Sequence, residues 1–255
     1  MWILETAAVA FGMYSALPVP QFPWNGKNMR YALAAFPLVG AAQGLAWWGA
    51  CALPLPPLAR GALLCVLPAL VTGGIHLDGY ADVSDALASH APPERKQTIL
   101  RDPHVGAFAV IRLCAYFVAY FALCGTFEPT PAALRCMGLG FVLSRALSAL
   151  ALTVLPIAEG SSLVKAFASA ADRKRVRVIL SVLAALCLVG LFLCGGLSVL
   201  LLAAGVLLIV SGYYIRTAKK QFGGTSGDLA GWFVVKLEFW LLAALCAAQY
   251  GGMLS

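Results

Sequence analysis

Apolar residues run along this chain in long unbroken blocks, separated by short polar stretches. Continuous blocks are the pattern of helices surrounded by apolar material, whereas strands of a barrel alternate from residue to residue. Spans of about 20 residues, the length that crosses a bilayer, are predicted near 31–53, 58–75, 106–126, 136–156, 178–194, 197–215 and 229–250. Residues 1–17 read as a shorter apolar helix, interfacial or barely spanning, which Pro18, Pro20 and Pro23 end. Pro54, Pro56 and Pro57 close the next span, Pro68 is expected to kink the one after, and Gly195-Gly196 joins two later ones. The polar stretches are residues 76–105, 157–177 and 216–228, and Pro92-Pro93 opens a short helix from Glu94 to Arg101 in the first.

Composition narrows the class. The chain is 61 % hydrophobic and 11 % charged, with a mean hydropathy of +0.86, more apolar than a soluble domain of this length requires. The expected architecture is all-α: a polytopic integral membrane helical bundle of about six to eight transmembrane helices, forming one domain over residues 1–255. No cleavable signal peptide is expected, because the first apolar stretch carries Glu5 and lacks a basic start. The eight cysteines lie singly, with no CxxC pair, and read as small apolar side chains rather than zinc ligands or disulfides.

Charge sets the orientation. Loops 18–30, 76–105, 157–177 and 216–228 hold 13 Lys and Arg, against 2 in the alternate loops. Positive loops stay in the cytoplasm, so a multi-pass protein of the bacterial inner membrane is expected, with these loops inside. The net charge of +7 is then met by anionic lipid and calls for no nucleic acid. Asp78, Asp82, Asp85, Asp102 and Asp228 fall on the same side. A pump or carrier would more often hold its acids near the midplane.

The densest chemistry is Gly73-Gly74-Ile75-His76-Leu77-Asp78-Gly79-Tyr80-Ala81-Asp82-Val83-Ser84-Asp85. On a helix, at about 100° per residue, its three carboxylates fall within about 60° of one another. Such a group repels itself unless a hard cation with oxygen ligands intervenes, and Mg²⁺ bridges carboxylates to substrate phosphates. The plain alternative is a solvated acidic helix end. Gly223-Gly224-Thr225-Ser226-Gly227-Asp228 precedes a helix and suits phosphate, or is a glycine turn with Asp228 as cap. Arg101-Asp102-Pro103-His104 supplies a cation and an acid before a span, or anchors the membrane edge. Arg145 and Lys236 lie in apolar runs and either have partners or snorkel. The Arg173–Arg177 run reads as a positive-inside anchor. His76 orients a ligand, shuttles a proton, or bonds to backbone.

The Gly73–Asp82 stretch resembles the GG-hydrophobic-HLDG-x-AD motif of cobalamin synthases, the adenosylcobinamide-GDP ribazoletransferase family. Leu17-Pro18-Val19-Pro20, Phe36-Pro37-Leu38-Val39-Gly40, the Arg101–Phe108 segment, Ser144-Arg145, Glu159-Gly160 and the Gly223–Asp228 turn resemble further family segments in order. Ala86 stands in place of a glycine, Pro103-His104 in place of Ser-Arg, Ala109 in place of a glycine, and Thr225-Ser226 varies a usual x-Thr. The resemblance implies a Mg²⁺-dependent membrane enzyme of late cobalamin assembly. It would join adenosylcobinamide-GDP to α-ribazole or its 5′-phosphate and release GMP. On that reading Asp78, Asp82, Asp85 and Asp228 are the metal ligands, and Asp82 and Asp102 the catalytic residues, Asp102 as base or further ligand. His76, Arg101, Arg145, Gly223, Gly224, Thr225 and Ser226 are the substrate contacts. A homo-oligomer, or association with other membrane-bound corrinoid enzymes, is left open.

Two other readings compete with this one. A CDP-alcohol phosphotransferase also uses helix aspartates, but its DG-x-x-AR is absent, since Asp82 follows Ala81 where Arg would stand. A cation-coupled transporter would carry its acids within the spans, which hold few.

Overall fold

The computed structural model describes residues 2–159 and 161–254. Gly160, half of the Glu159-Gly160 pair, lies outside them. Among the described residues the structure is helical, with one isolated parallel bridge, Ile157 to Thr225. In chain order the helices are α1 (Trp2–Tyr14), α2 (Ala32–Cys51), α3 (Pro57–Thr72), α4 (Ile75–Ala88), α5 (Pro93–Ile99), α6 (Ala107–Thr126), α7 (Pro131–Val154), α8 (Ser162–Ala170), α9 (Arg173–Phe222) and α10 (Gly227–Tyr250).

Local sequence explains the boundaries. Pro57, Pro93 and Pro131 stand in first turns, where a missing N–H costs nothing. Thr130, Asp172 and Ser226 accept from Ala133, Arg175 and Leu229 N–H and so cap α7, α9 and α10. Helix α3 continues through Pro68, and the sharp turn comes later. Gly73 and Gly74 both take the left-handed conformation, at φ 64° and 81°, which only glycine adopts without strain. They bend α3 into α4 by 94°.

Four helices are long and apolar enough to cross a membrane: α6, α7, α9 and α10. The bent pair α3–α4 makes a fifth candidate, either a broken span or a re-entrant loop. At 1.5 Å per residue, the 50 residues of α9 would extend about 75 Å, well over twice the roughly 30 Å hydrocarbon core. Non-helical Gly196, at φ 74° and ψ −175°, breaks it, at the expected 195–196 junction. Both arms pack back along the bundle, Leu180 in one buried cluster with Leu152 and Tyr214 against Phe233. Counting them separately gives five spans, or six with the bent pair. Helix α2 matches a predicted span in length, but Gln43 and Pro37 dilute its hydropathy. Helix α1, 13 residues long, reaches about 20 Å and falls short of crossing.

Helices α7 and α10 form the centre, with 61 % and 67 % of their apolar windows buried, against 17 % for α6 and 22 % for α9. The outer helices expose Leu186, Leu193, Leu201, Leu208 and Val118, an apolar rim suited to lipid. Inside, a Cβ on Gly40 would fall 2.3 Å from the Phe141 carbonyl oxygen, so α2 and α7 meet backbone to backbone.

The loops gather at one end. Arg30 pairs with Asp172 at 2.8 Å, Lys96 Nζ donates to Gln221, Gln97 to the Phe222 carbonyl, and Arg101 to the Glu159 carbonyl. The far end holds Gly196 and the contact of Glu128 with Gln249. The stretch 157–177, expected as loop, contains α8. Its Phe167 is 2 % exposed and meets Trp24 edge-on at 5.3 Å. A nine-residue helix is too short to hold itself in water, so this docking, absent from local sequence, accounts for it.

Candidate active site

Helix α4 carries Asp78, Asp82 and Asp85 at the predicted spacing. A contact with the start of α10 adds the fourth acid. A Cβ on Gly79 would stand 2.6 Å from the Asp228 carbonyl oxygen and 2.8 Å from its Cα, so only glycine lets the helices touch here. That contact brings Asp228 beside the α4 acids, and the Asp82 carboxylate feels the negative charges of Asp78, Asp228 and Asp85. Asp78 and Asp228 also line one cavity.

Asp85 is engaged elsewhere. Gly106 N–H donates to its Oδ2 at 2.6 Å and Ala109 N–H to its Oδ1 at 2.8 Å. Both oxygens therefore cap α6, and as a metal ligand Asp85 would have to share lone pairs with that cap. Asp78, Asp82 and Asp228 are the acids of this group with no such tie to another helix. Among the described residues no three acid, cysteine or histidine side chains stand close enough together to hold a metal ion by themselves. The donor set still fits Mg²⁺, which takes one or two carboxylates and keeps waters and substrate phosphates as its other ligands.

Other expected site residues are placed differently. Asp102 lies in the exposed loop before α6 and accepts from His104 N–H at 3.0 Å, with His104 Nδ1 at 2.7 Å. Those bonds hold its carboxyl below the usual carboxylate range, the opposite of what a base at neutral pH needs. Arg101 Nη2 donates to the Glu159 carbonyl at 2.7 Å and braces two loops of the gathered end.

Arg145, read as a substrate contact, is fully buried. It pairs through Nη1 with Glu238, and Nη2 donates to Gln43 Oε1 at 2.6 Å. Ser144 Oγ and Gln43 Nε2 complete the set on Glu238 at 2.9 and 3.2 Å. An enclosed, paired guanidinium has no path to a substrate, so Arg145 belongs to the interior network. Sequence reading missed Glu238 and Gln43, although an acid in the last apolar run signals a partner for Arg145. Lys236 packs over Trp232 and Tyr213, 5.0 and 5.4 Å from their ring centroids.

The glycine turn is a strap rather than an open phosphate cradle. Gly223 and Gly224 N–H donate to the Ala218 carbonyl. Thr225 N–H donates to the Pro156 carbonyl at 2.8 Å, and Ala158 N–H to that of Thr225 at 2.8 Å. Thr225 Oγ1 lies 2.5 Å from the Tyr214 hydroxyl, and Ser226 caps α10. The Gly223, Gly224 and Thr225 donors are spent on protein, so the turn fixes where Asp228 stands instead of presenting those three N–H groups to phosphate.

His76 is 7 % exposed, and its Nε2 has no hydrogen-bond partner among the described residues. Its ring lies 5.6 Å from Phe36, which in turn lies 4.3 Å from Tyr14. All three line the cavity of about 200 Å³ that Asp78 and Asp228 edge, together with Met13, Leu33 and Phe167. The site thus joins acids to an apolar chamber.

A family model described as cobalamin-5-phosphate synthase matches residues 6–246. Adenosylcobinamide-GDP ribazoletransferase of Lachnoclostridium phytofermentans is 37 % identical over 257 residues, covering 98 % of this chain and 96 % of the relative. The proteins of the same name from Geobacillus sp. (33 % identical, 87 % of each chain) and Clostridium perfringens strain SM101 (28 % identical, 91 % and 93 %) are also similar. No solved structure matches the chain. The match runs through every element that builds the site, and the chain belongs to the cobalamin-5-phosphate synthase family.

Proposed function

We propose that this protein is an adenosylcobinamide-GDP ribazoletransferase that uses Mg²⁺ at the cytoplasmic face of the bacterial inner membrane. The acceptor is α-ribazole or its 5′-phosphate. Its ribose 3′-hydroxyl attacks the phosphorus attached to cobinamide. The phosphoanhydride bond to GMP breaks, GMP departs, and the phosphodiester of adenosylcobalamin or its 5′-phosphate remains. The observation that carries this reading is the meeting of Asp78, Asp82 and Asp228 where α4 crosses α10, at the edge of an apolar cavity.

Asp78, Asp82 and Asp228 would supply the one or two carboxylates that hold the cation. Bound there, Mg²⁺ supplies neutralising charge to the pyrophosphate oxygens. The chain's own groups do the rest. The α4–α10 contact fixes the acids in one place, so the reacting groups are positioned before they meet. A carboxylate of this group accepts the hydroxyl proton, a role that Asp102 suits less. Arg101, on the loop braced to Glu159, is the cation available to phosphate oxygens. Asp85 fixes the end of that same loop through Gly106 and Ala109. The 13-to-2 division of basic loop residues supports the cytoplasmic placement.

The test is incubation of purified protein with adenosylcobinamide-GDP, α-ribazole and Mg²⁺, with mass spectrometry for GMP and adenosylcobalamin. Both products are expected. Their absence, with the protein folded, overturns the reading. Exhaustive chelation is expected to abolish turnover, and full activity after chelation would remove the metal from it.

A further inference from the structure

We propose that the cavity between α1, α2, α4, α7, α8 and α10 is the seat of the acceptor's aromatic base, and that His76 reads that base. The proposal deepens the reaction assigned above and rests on it for the identity of the ligand.

Lining comes first. Met13, Tyr14, Leu33, Phe36 and Phe167 make the wall largely carbon. Tyr14, Phe36 and His76 form a continuous line of rings, with neighbouring centroids 4.3 and 5.6 Å apart. A flat, apolar aromatic ligand meets such a wall by stacking and edge contacts.

Size comes next. The space of about 200 Å³ is below the roughly 300–1,000 Å³ of sites that enclose a drug-sized ligand. It suits one bicyclic ring. A corrin macrocycle is far too large, and a guanine base would bring several polar edges to a wall that leaves them unpaired. The dimethylbenzimidazole of α-ribazole has only one free ring nitrogen to satisfy.

The cavity wall carries an imidazole to match. His76 lines it, is 93 % enclosed, by its 7 % exposure, and has no partner for its Nε2 among the described residues. A buried polar atom without a partner costs free energy, and an imidazole nitrogen either donates to or accepts from a ring nitrogen. Position completes the match. Asp78 and Asp228 edge the cavity, so a base held inside leaves its ribose at the acids, where the attacking hydroxyl must stand. Donor and acceptor then approach from different sides: the acceptor out of the cavity, the corrinoid from the loop end.

The experiment measures binding of radiolabelled 5,6-dimethylbenzimidazole, and of α-ribazole, to the full-length protein in detergent. Parallel measurements use Met13→Trp, which fills the chamber from α1, and His76→Phe, which keeps the ring and removes the nitrogens. Met13 is unbranched and partly exposed, so this exchange is well tolerated. Saturable binding to the unaltered protein is expected, weakened about tenfold or more by each exchange. In turnover, the KM for α-ribazole is expected to rise with the KM for adenosylcobinamide-GDP unchanged. Absence of saturable base binding, equal binding by Met13→Trp, or a rise in the donor KM alone overturns the proposal. An acyl chain as the true occupant would show itself as absence of base binding. Base binding that follows this pattern in a protein that releases no GMP would refute the reaction and keep the site.

Discussion

At the scale of single residues, the acids divide by what already holds them. Asp82 lies within the field of three other carboxylates and has no hydrogen-bonded partner among the described residues. Asp82→Asn is therefore expected to lower GMP release by at least ~10²-fold, while thermal unfolding in detergent stays level or improves, because a repulsive charge is gone. Near-normal turnover would disprove the assignment, and loss of folding would make the acid structural. Asp102→Asn is expected to stay within a few-fold of normal, since its carboxylate is already committed to His104. Arg145 and Glu238 are a different matter. Breaking a buried pair strands the remaining charge, at about 3–5 kcal/mol, so Glu238→Gln is expected to lower the unfolding temperature sharply. The double exchange Arg145→Met with Glu238→Leu should recover much of the loss, as differential scanning would show.

Elements do what lone residues cannot. Gly79 exists to let α4 lie on α10, and Gly79→Leu should separate them by pressing on the Asp228 backbone. A displacement near 1 Å at reacting groups costs about 10²-fold in rate. Turnover should fall by about that much with the protein still folded, and unchanged kinetics would show that the α4–α10 contact does not set the site. Asp85→Ala removes the cap on α6, worth about 1 kcal/mol. Faster amide hydrogen exchange is expected at Gly106 and Ala109, while exchange in α7 stays put. Sequence gave direct access to α4, because a 3.6-residue period places its acids by itself. It also marked the two-arm α9 through Gly195-Gly196. Its limits were the contacts between distant segments. Nothing local says that Gly79 meets Asp228, that Arg145 finds Glu238, or that the Gly223–Thr225 donors turn to Ala218 and Pro156. Those facts belong to packing, and so did α8, whose short sequence reads as loop until Phe167 docks on Trp24.

At the scale of the molecule, the charged loops and the acid group share one end of the bundle, with a lipid-facing rim around the middle. Single cysteines introduced at 88–100 and 218–226 should label from the cytoplasmic side in inverted vesicles, on the strength of the basic loops. Labelling of those positions from the periplasm would invert the topology. The 94° turn at Gly73-Gly74 has a consequence for this arrangement. Because α3 breaks there, α4 starts afresh beside the cavity instead of continuing away from it, and α10 starts at the same place. Each helix start carries about half a positive charge from its aligned peptide groups. Two such ends facing one chamber offset roughly one of the clustered carboxylates. The acid group is thus less forbidding to a doubly charged pyrophosphate than its formal charge suggests.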